Sequence, residues 1–233
     1  MDLSALIPSR RRIYLLRHAD VSYFDASGKP ARPDSVPLTE KGRTQADAAQ
    51  RALAEIPIDK AICSGLPRTV ETARKVVGER SLEIEAWHDF REIEPGRLSE
   101  LPLDSIGQVF LGSLAGNLDR EGRFLGGETF GSMLDRVLSS LDKVIADPGW
   151  SHLLLVAHGA VNRAILCHAL GSGLGGFGGI EQDACCINII DVDQNGRLLV
   201  RLLNHTPYDH AKVGMRRTTM EQLLLDYMTP GSA

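Results

Sequence analysis

Two short aliphatic runs in this chain end in the same way, and that constrains its fold more than any other feature. Leu15-Leu16-Arg17-His18-Ala19 and Leu154-Leu155-Val156-Ala157-His158-Gly159 each run apolar and then stop at a histidine. Apolar runs of this length, without a polar alternation, read as strands buried on both faces, as in a parallel sheet covered by helices. In open α/β sheets the ligand crevice lies beyond the carboxyl ends of the strands. Two such strands ending in imidazoles can put both rings in one pocket. A single histidine at a strand end is more often a structural donor to a carbonyl; the repetition is what points to a site.

The rest of the chain supplies the helices this reading needs. A strand over 12–16 is followed by a polar loop with Gly28, Pro30, Pro33 and Pro37. Thr39 then sits as the N-cap of a helix running to about Glu55, with Ala46, Ala49, Leu53 and Ile56 on one face. A second strand is expected over 60–64, a helix opened by Pro67 and closed by Gly78, and a third strand over 82–86. Residues 87–127 are rich in glycine, proline and charge and read as an irregular, inserted, substrate-facing segment. A helix is expected over 128–146, a strand over 153–157, and a helix over 161–170 closed by Gly171. The runs 186–192 and 197–203 read as a hairpin around Asn195-Gly196. A short helix is expected from about Thr219. The pattern predicts a three-layer α/β/α sandwich with a mostly parallel sheet and an antiparallel edge hairpin, in one domain over 1–233. No repeat or linker divides the chain.

Composition narrows the function classes. With 233 residues, 43% of them hydrophobic, the chain can bury a real core. A formal net charge of -4 supplies no global field for nucleic acid or an anionic membrane surface, so neither is an expected partner. Cys63, Cys167, Cys185 and Cys186 form no CxxC pair and no disulfide framework, and reduced buried thiols are expected. No histidine spacing suggests a metal, and neither metal nor cofactor is expected. The start of the chain does not read as a signal peptide and no run is long enough to span a bilayer, so a cytoplasmic location is the expectation. A homodimer through an exposed sheet edge is possible, but the sequence does not specify it.

Two local patterns are decoys. Gly171 to Gly176 matches GxGxxG, but it follows a helix rather than a strand. Asp191, Asp193, Asn195 and Gly196 match the first half of an EF-hand loop, but Leu202 stands where the closing glutamate belongs. Arg68 is more informative. It falls in the first turn of a helix, beside the positive end of the dipole, where a bound anion would relieve the conflict. Spacing alone leaves that reading level with an exposed Arg68 paired to Glu71 or Glu40.

Taken together, the motifs resemble the histidine phosphatase superfamily, also called phosphoglycerate-mutase-like. Arg17-His18 resembles its Arg-His-Gly signature, and Pro37 to Arg43 its Leu-Thr-x-x-Gly helix start. Ser64 to Ala73 resembles its Ser-x-x-x-Arg-x-x-x-Thr-Ala segment. Phe90 to Gly96 resembles the loop of the proton donor, Gly127-Glu128-Thr129 a later helix start, and Val156 to Leu166 the second histidine segment. They occur in family order from residue 11 to about 170. Ala19 replaces the usual glycine after the histidine. Tyr23 and Phe24 stand where many members have Trp-Asn, which leaves a more apolar rim. Glu100 stands where glycine is common.

The resemblance implies roles. His18 is expected as the nucleophile, forming a phosphohistidine through Nε2. Arg17, Arg68 and a protonated His158 are expected to hold the non-bridging oxygens. Glu92 is expected to protonate the leaving alkoxide; Glu94 is a rival two residues away, and the Arg91-Glu92-Ile93 context favours Glu92. Tyr23 and Phe24 are expected at the substrate rim, with Trp87 and Phe110 also near the mouth. The reading is a metal-independent phosphatase acting on a small phosphomonoester. One alternative is a phosphoglycerate mutase, although the chain lacks the mutase-like Gly-Glu-Ser-x-Trp-Asn run after His18 and the Tyr-Gly-x-Leu-x-Gly pattern after Glu92. Another is a non-catalytic phospho-ligand binding protein, although His18 and Glu92 are both present.

Overall fold

The computed structural model describes residues 9–24, 31–96, 106–112, 114 and 118–228. Its centre is a six-stranded sheet in the order β3-β2-β4-β1-β5-β6. The strands are β1 (Arg10–Arg17), β2 (Lys60–Cys63), β3 (Ile84–Ala86), β4 (His152–Ala157), β5 (Ile187–Asp193) and β6 (Leu198–His205). Strands β3, β2, β4 and β1 run parallel; β5 is antiparallel to β1, and β6 to β5. The expected edge hairpin is present. Its turn has Gly196 at φ 78°, and Asp193 Oδ1 accepts from the Asn195 and Arg197 amides.

The helices are α1 (Glu40–Ala52), α2 (Pro67–Val77), α3 (Ile106–Gly112), α4 (Phe130–Ala146), α5 (Gly159–Leu170) and α6 (Thr219–Met228). Alternation along β1 shows how they sandwich the sheet. Tyr14 and Leu16 join one core with Ala46 and Ala49 of α1 and Val76 of α2. Ile13 and Leu15 join the other with Val137 and Leu141 of α4 and Val161 and Ile165 of α5. Successive strand residues point to opposite faces, so each face of β1 needs its own helical cover. Each fully buried Leu or Ile there contributes about 1.5–3 kcal/mol.

Two helix starts and one added helix differ most from the expectation. The fourth helix starts at Phe130, because the Thr129 hydroxyl caps it by accepting from the Ser132 amide at 3.1 Å. The fifth starts at Gly159, directly after the histidine that ends β4. Within 87–127, read as irregular, lies α3, which packs with α6 in a third small core of Ile106, Phe110, Leu125 and Met220. Phe110 is therefore buried against α6, and Trp87 is half-buried, stacked on Phe90 at 6.2 Å against the main core. All four cysteines are free and buried. Among the described residues no helix is long and apolar enough to cross a membrane.

Candidate active site

Strand register builds the site. Arg17 pairs with Ala157 across β1 and β4, so His18 and His158 leave adjacent parallel strands at the same level. Their rings meet edge to face with centroids 5.2 Å apart. Cys63 of β2 pairs with Val156, which brings Ser64 beside His158. Arg68 follows in the first turn of α2, and it is buried rather than exposed. The backbone leaving β1 is fixed against α1: a Cβ on Gly42 would lie 2.2 Å from the Asp20 carbonyl, so only glycine fits there. Ala19 is fully buried and has no left-handed φ to strain it.

Hydrogen bonding sets the tautomers. His18 Nδ1 lies 2.8 Å from the Ala19 carbonyl, which can only accept. Nδ1 therefore carries the proton, and in the neutral ring Nε2 keeps its lone pair. His158 Nε2 lies 2.8 Å from Ser64 Oγ, and Ser64 Oγ lies 3.0 Å from Thr69 Oγ1. Thr69 uses its one proton on the Leu66 carbonyl at 2.8 Å. Ser64 must then donate to Thr69, and His158 Nε2 must donate to Ser64. That leaves His158 Nδ1 as the atom free to meet a ligand.

Both arginines are tethered at one end. Arg68 Nη1 donates to the Pro33 carbonyl at 2.6 Å, and Arg17 Nη1 to the Gln182 carbonyl at 2.7 Å. Among the described residues, four buried side-chain nitrogens have no partner: Arg17 Nε, Arg68 Nε, His158 Nδ1 and His152 Nδ1. Three belong to this cluster; His152 is at the opposite end of β4. Buried polar groups are nearly always satisfied, so three exceptions in one place mark groups kept ready for an anion.

Glu92 reaches the same place from the loop after β3. Its Oε1 accepts from Ala160 N at 3.2 Å, at the N-terminus of α5, and from Ile93 N at 3.1 Å. The loop is clamped from behind: Arg136 donates to the carbonyls of Asp89, Arg91 and Glu92 and pairs with Glu128 at 2.8 Å. Burial raises the Glu128 carboxyl, but the hydrogen bonds from Arg136, the Glu94 amide and Ser132, together with the Arg136 charge, outweigh it and leave the group below its ordinary value. Glu94 is exposed, and its backbone amide and carbonyl are bonded to Glu128. Gly159 marks the convergence: a Cβ there would sit 3.2 Å from Arg163 Nη1, 3.7 Å from Glu92 Oε2 and 3.8 Å from Arg17 Nε. Tyr23 and Phe24 are half-buried on the loop after β1. The described contact of that loop with Arg68 comes from Pro33, not from either aromatic.

Both imidazoles are held well below their ordinary 6.5. For His18 the causes are burial first, then Arg68 and Arg17; for His158 they are burial, then Arg68, His18 and Arg17. The folded protein therefore resists taking protons that the unfolded chain binds below about pH 6.5. Stability should be fully present above that value and fall progressively as pH drops from about 6.5 toward 5. Thermal melts across this range check it: His158→Gln should flatten the slope, and an unchanged slope would contradict the assignment. A bound dianion would reverse the balance for His158, so phosphate should stabilise the protein more at pH 5.5 than at pH 8.

Comparison with known proteins places the chain in a family. Residues 13–205 match the family model described as the histidine phosphatase superfamily (branch 1). The chain belongs to the histidine phosphatase superfamily. Among curated relatives, a protein of Arabidopsis thaliana named "Probable 2-carboxy-D-arabinitol-1-phosphatase" is 27% identical, across 79% of this chain but only 39% of its own length. One of Salmonella paratyphi A named "Probable phosphoglycerate mutase GpmB" is 28% identical, across 79% of this chain and 86% of its own. Among solved structures, the α-ribazole phosphatase from Shigella flexneri shares the fold at a TM-score of 0.68 and 21% identity, covering 84% of this chain and 96% of that one. The mycobacterial glucosyl-3-phosphoglycerate phosphatase does so at 0.66 and 22%, covering 84% and 99%.

The structure brings His18, His158, Arg17, Arg68 and Glu92 together. Sequence reasoning passed over Ser64, Arg136, Arg163 and Thr219. Ser64 lay in a quoted motif and could have been found from its place at the end of β2. The others act through tertiary contacts that no local pattern announces.

Proposed function

We propose that this protein is a phosphatase that hydrolyses a small phosphomonoester through a phosphohistidine at His18, without a metal. The observation that carries the proposal is the set of three unpartnered buried nitrogens, Arg17 Nε, Arg68 Nε and His158 Nδ1, around the bare Nε2 of His18. Phosphoryl transfer depends mainly on positioning and on stabilising charge over the equatorial oxygens. Two arginine edges and an imidazolium supply that charge.

In the first step His18 Nε2 bonds to phosphorus as the ester P–O bond breaks, and the Glu92 carboxyl gives its proton to the leaving oxygen. In the second, the Glu92 carboxylate takes a proton from water as that water attacks phosphorus. The P–N bond breaks and neutral His18 returns. The Ala160 amide and Arg163 support Glu92 as an anion between the steps.

Phosphate release from p-nitrophenyl phosphate and a panel of natural phosphoesters, in excess EDTA, tests the reading. Release should persist in EDTA, with preference for esters bearing apolar or aromatic groups if Tyr23 and Phe24 form the rim. Interconversion of phosphoglycerates without net phosphate release would replace the reading with the mutase. Tight phosphoester binding with no turnover of any ester would replace it with the binding protein.

A further inference from the structure

We infer that Thr219, the first residue of α6, is a positioning residue that fixes the phosphate-gripping edge of Arg17; this rests on the phosphatase reading above. Thr219 lies beyond residue 205, where the family match ends. It is more than two hundred positions from Arg17 in sequence, yet Arg17 Nη1 donates to its Oγ1 at 3.0 Å.

The donor count gives the contact a direction. A guanidinium only donates, so Thr219 Oγ1 must accept from Arg17. The single hydroxyl proton is then free to go to Glu181 Oε1, 3.0 Å away. Glu181 Oε1 also accepts from Arg163 Nη2 at 2.8 Å and from the Gln182 amide at 2.8 Å. Arg163 is buried, and its Nη1 is the group that lies over Gly159 beside Arg17 Nε and Glu92 Oε2. The line Arg17, Thr219, Glu181, Arg163 therefore links two arginines that both come beside Gly159.

The consequence for Arg17 is geometric. Nη1 carries two hydrogens, and the Gln182 carbonyl and the Thr219 hydroxyl take both. The planar fork cannot rotate without losing one of them, and the edge that carries unpartnered Nε is left for the phosphoryl oxygens. With the Gln182 carbonyl alone, the guanidinium could pivot about a single contact.

The sequence builds Thr219 into place. Thr218 and Glu221 form a capping box: Glu221 N donates to Thr218 Oγ1 at 3.2 Å, and Thr218 N donates to Glu221 Oε2 at 2.6 Å. The next residue, Met220, is buried with Ile106 and Phe110 of α3. The helix start is held by its cap on one side and by an apolar anchor on the other, and Thr219 faces the site between them.

The test compares Thr219→Val and Thr219→Ser with wild type, reading kcat/KM for p-nitrophenyl phosphate and the Kd of inorganic phosphate by calorimetry. A hydrogen bond to a charged group is at stake, so Thr219→Val should lower kcat/KM and weaken phosphate about tenfold each, while Thr219→Ser stays within about twofold of wild type. Because Thr219 acts through Arg17, the effects should not add: in an Arg17→Ala background, Thr219→Val should change the phosphate Kd by less than about twofold. Should Thr219→Val lose α6 by circular dichroism, the pair Thr219→Ala and Thr219→Ser carries the same comparison. Wild-type affinity in Thr219→Val, or an undiminished tenfold loss in the Arg17→Ala background, overturns the inference. An inactive wild type would instead remove the phosphatase reading beneath it.

Discussion

His18→Ala should release no measurable phosphate from p-nitrophenyl phosphate, a loss of roughly 10⁴- to 10⁶-fold, the scale on which removing a covalent nucleophile acts. Of the two facing imidazoles, the substitution removes the one whose Nε2 has a free lone pair, since His158 spends its own Nε2 proton on Ser64. The anion pocket should survive it. Arg17 stays tethered to the Gln182 carbonyl and Arg68 to the Pro33 carbonyl, and neither tether passes through His18. Phosphate should thus still bind to His18→Ala by calorimetry while turnover is gone. An acid-labile, base-stable phosphoryl label should form on wild type quenched during turnover and should be missing from the variant. Retained turnover in His18→Ala would put the nucleophile elsewhere, and loss of both binding and turnover would mean that the variant had damaged the pocket rather than the chemistry.

How much of this could be read from sequence depended on how local each cause was. The apolar runs that became β1 and β4 were legible because both faces of those strands are buried, so no polar residue interrupts them. The hairpin was legible because Asn195-Gly196 meets a turn requirement that few pairs meet. The short α3 was not. Its stability comes from Ile106 and Phe110 packing on α6, an element more than a hundred residues later, and seven residues carry too little helical signal of their own.

The candidate site divides along the same line. His18 and His158 could be brought together on paper because strand register is nearly the only freedom a parallel pair has. Arg68 could not be settled by spacing: an exposed ion pair and a buried anion grip predict the same helix position, and only burial separates them. Glu92 and Glu94 were two residues apart in a loop without periodicity. What separates them is Arg136, which holds three carbonyls of that loop from α4 and turns Glu92 toward Ala160. Thr219 had no local signature beyond a capping box that any helix can carry.

Glu92→Gln should discriminate between esters by their leaving groups. An alkyl phosphate expels an alkoxide that needs a proton as the P–O bond breaks, so losing the acid should cost roughly 10²- to 10⁴-fold in kcat/KM. p-Nitrophenyl phosphate expels a stabilised anion that leaves unaided, and its first step should be nearly spared. The second step is not spared, because water must still be deprotonated to attack the phosphohistidine. Rapid mixing should therefore show a burst of p-nitrophenolate equal to the enzyme, followed by slow turnover, with phosphoenzyme accumulating in place of free His18. Glutamine fills the same volume and its carbonyl can still accept from the Ala160 amide, so the loop should keep its place. Glu94→Gln is the control, since Glu94 is exposed, and it should behave as wild type toward both esters. Equal losses on alkyl and aryl esters without a burst would show that Glu92 holds structure rather than a proton, and a burst in Glu94→Gln instead would move the role two residues along.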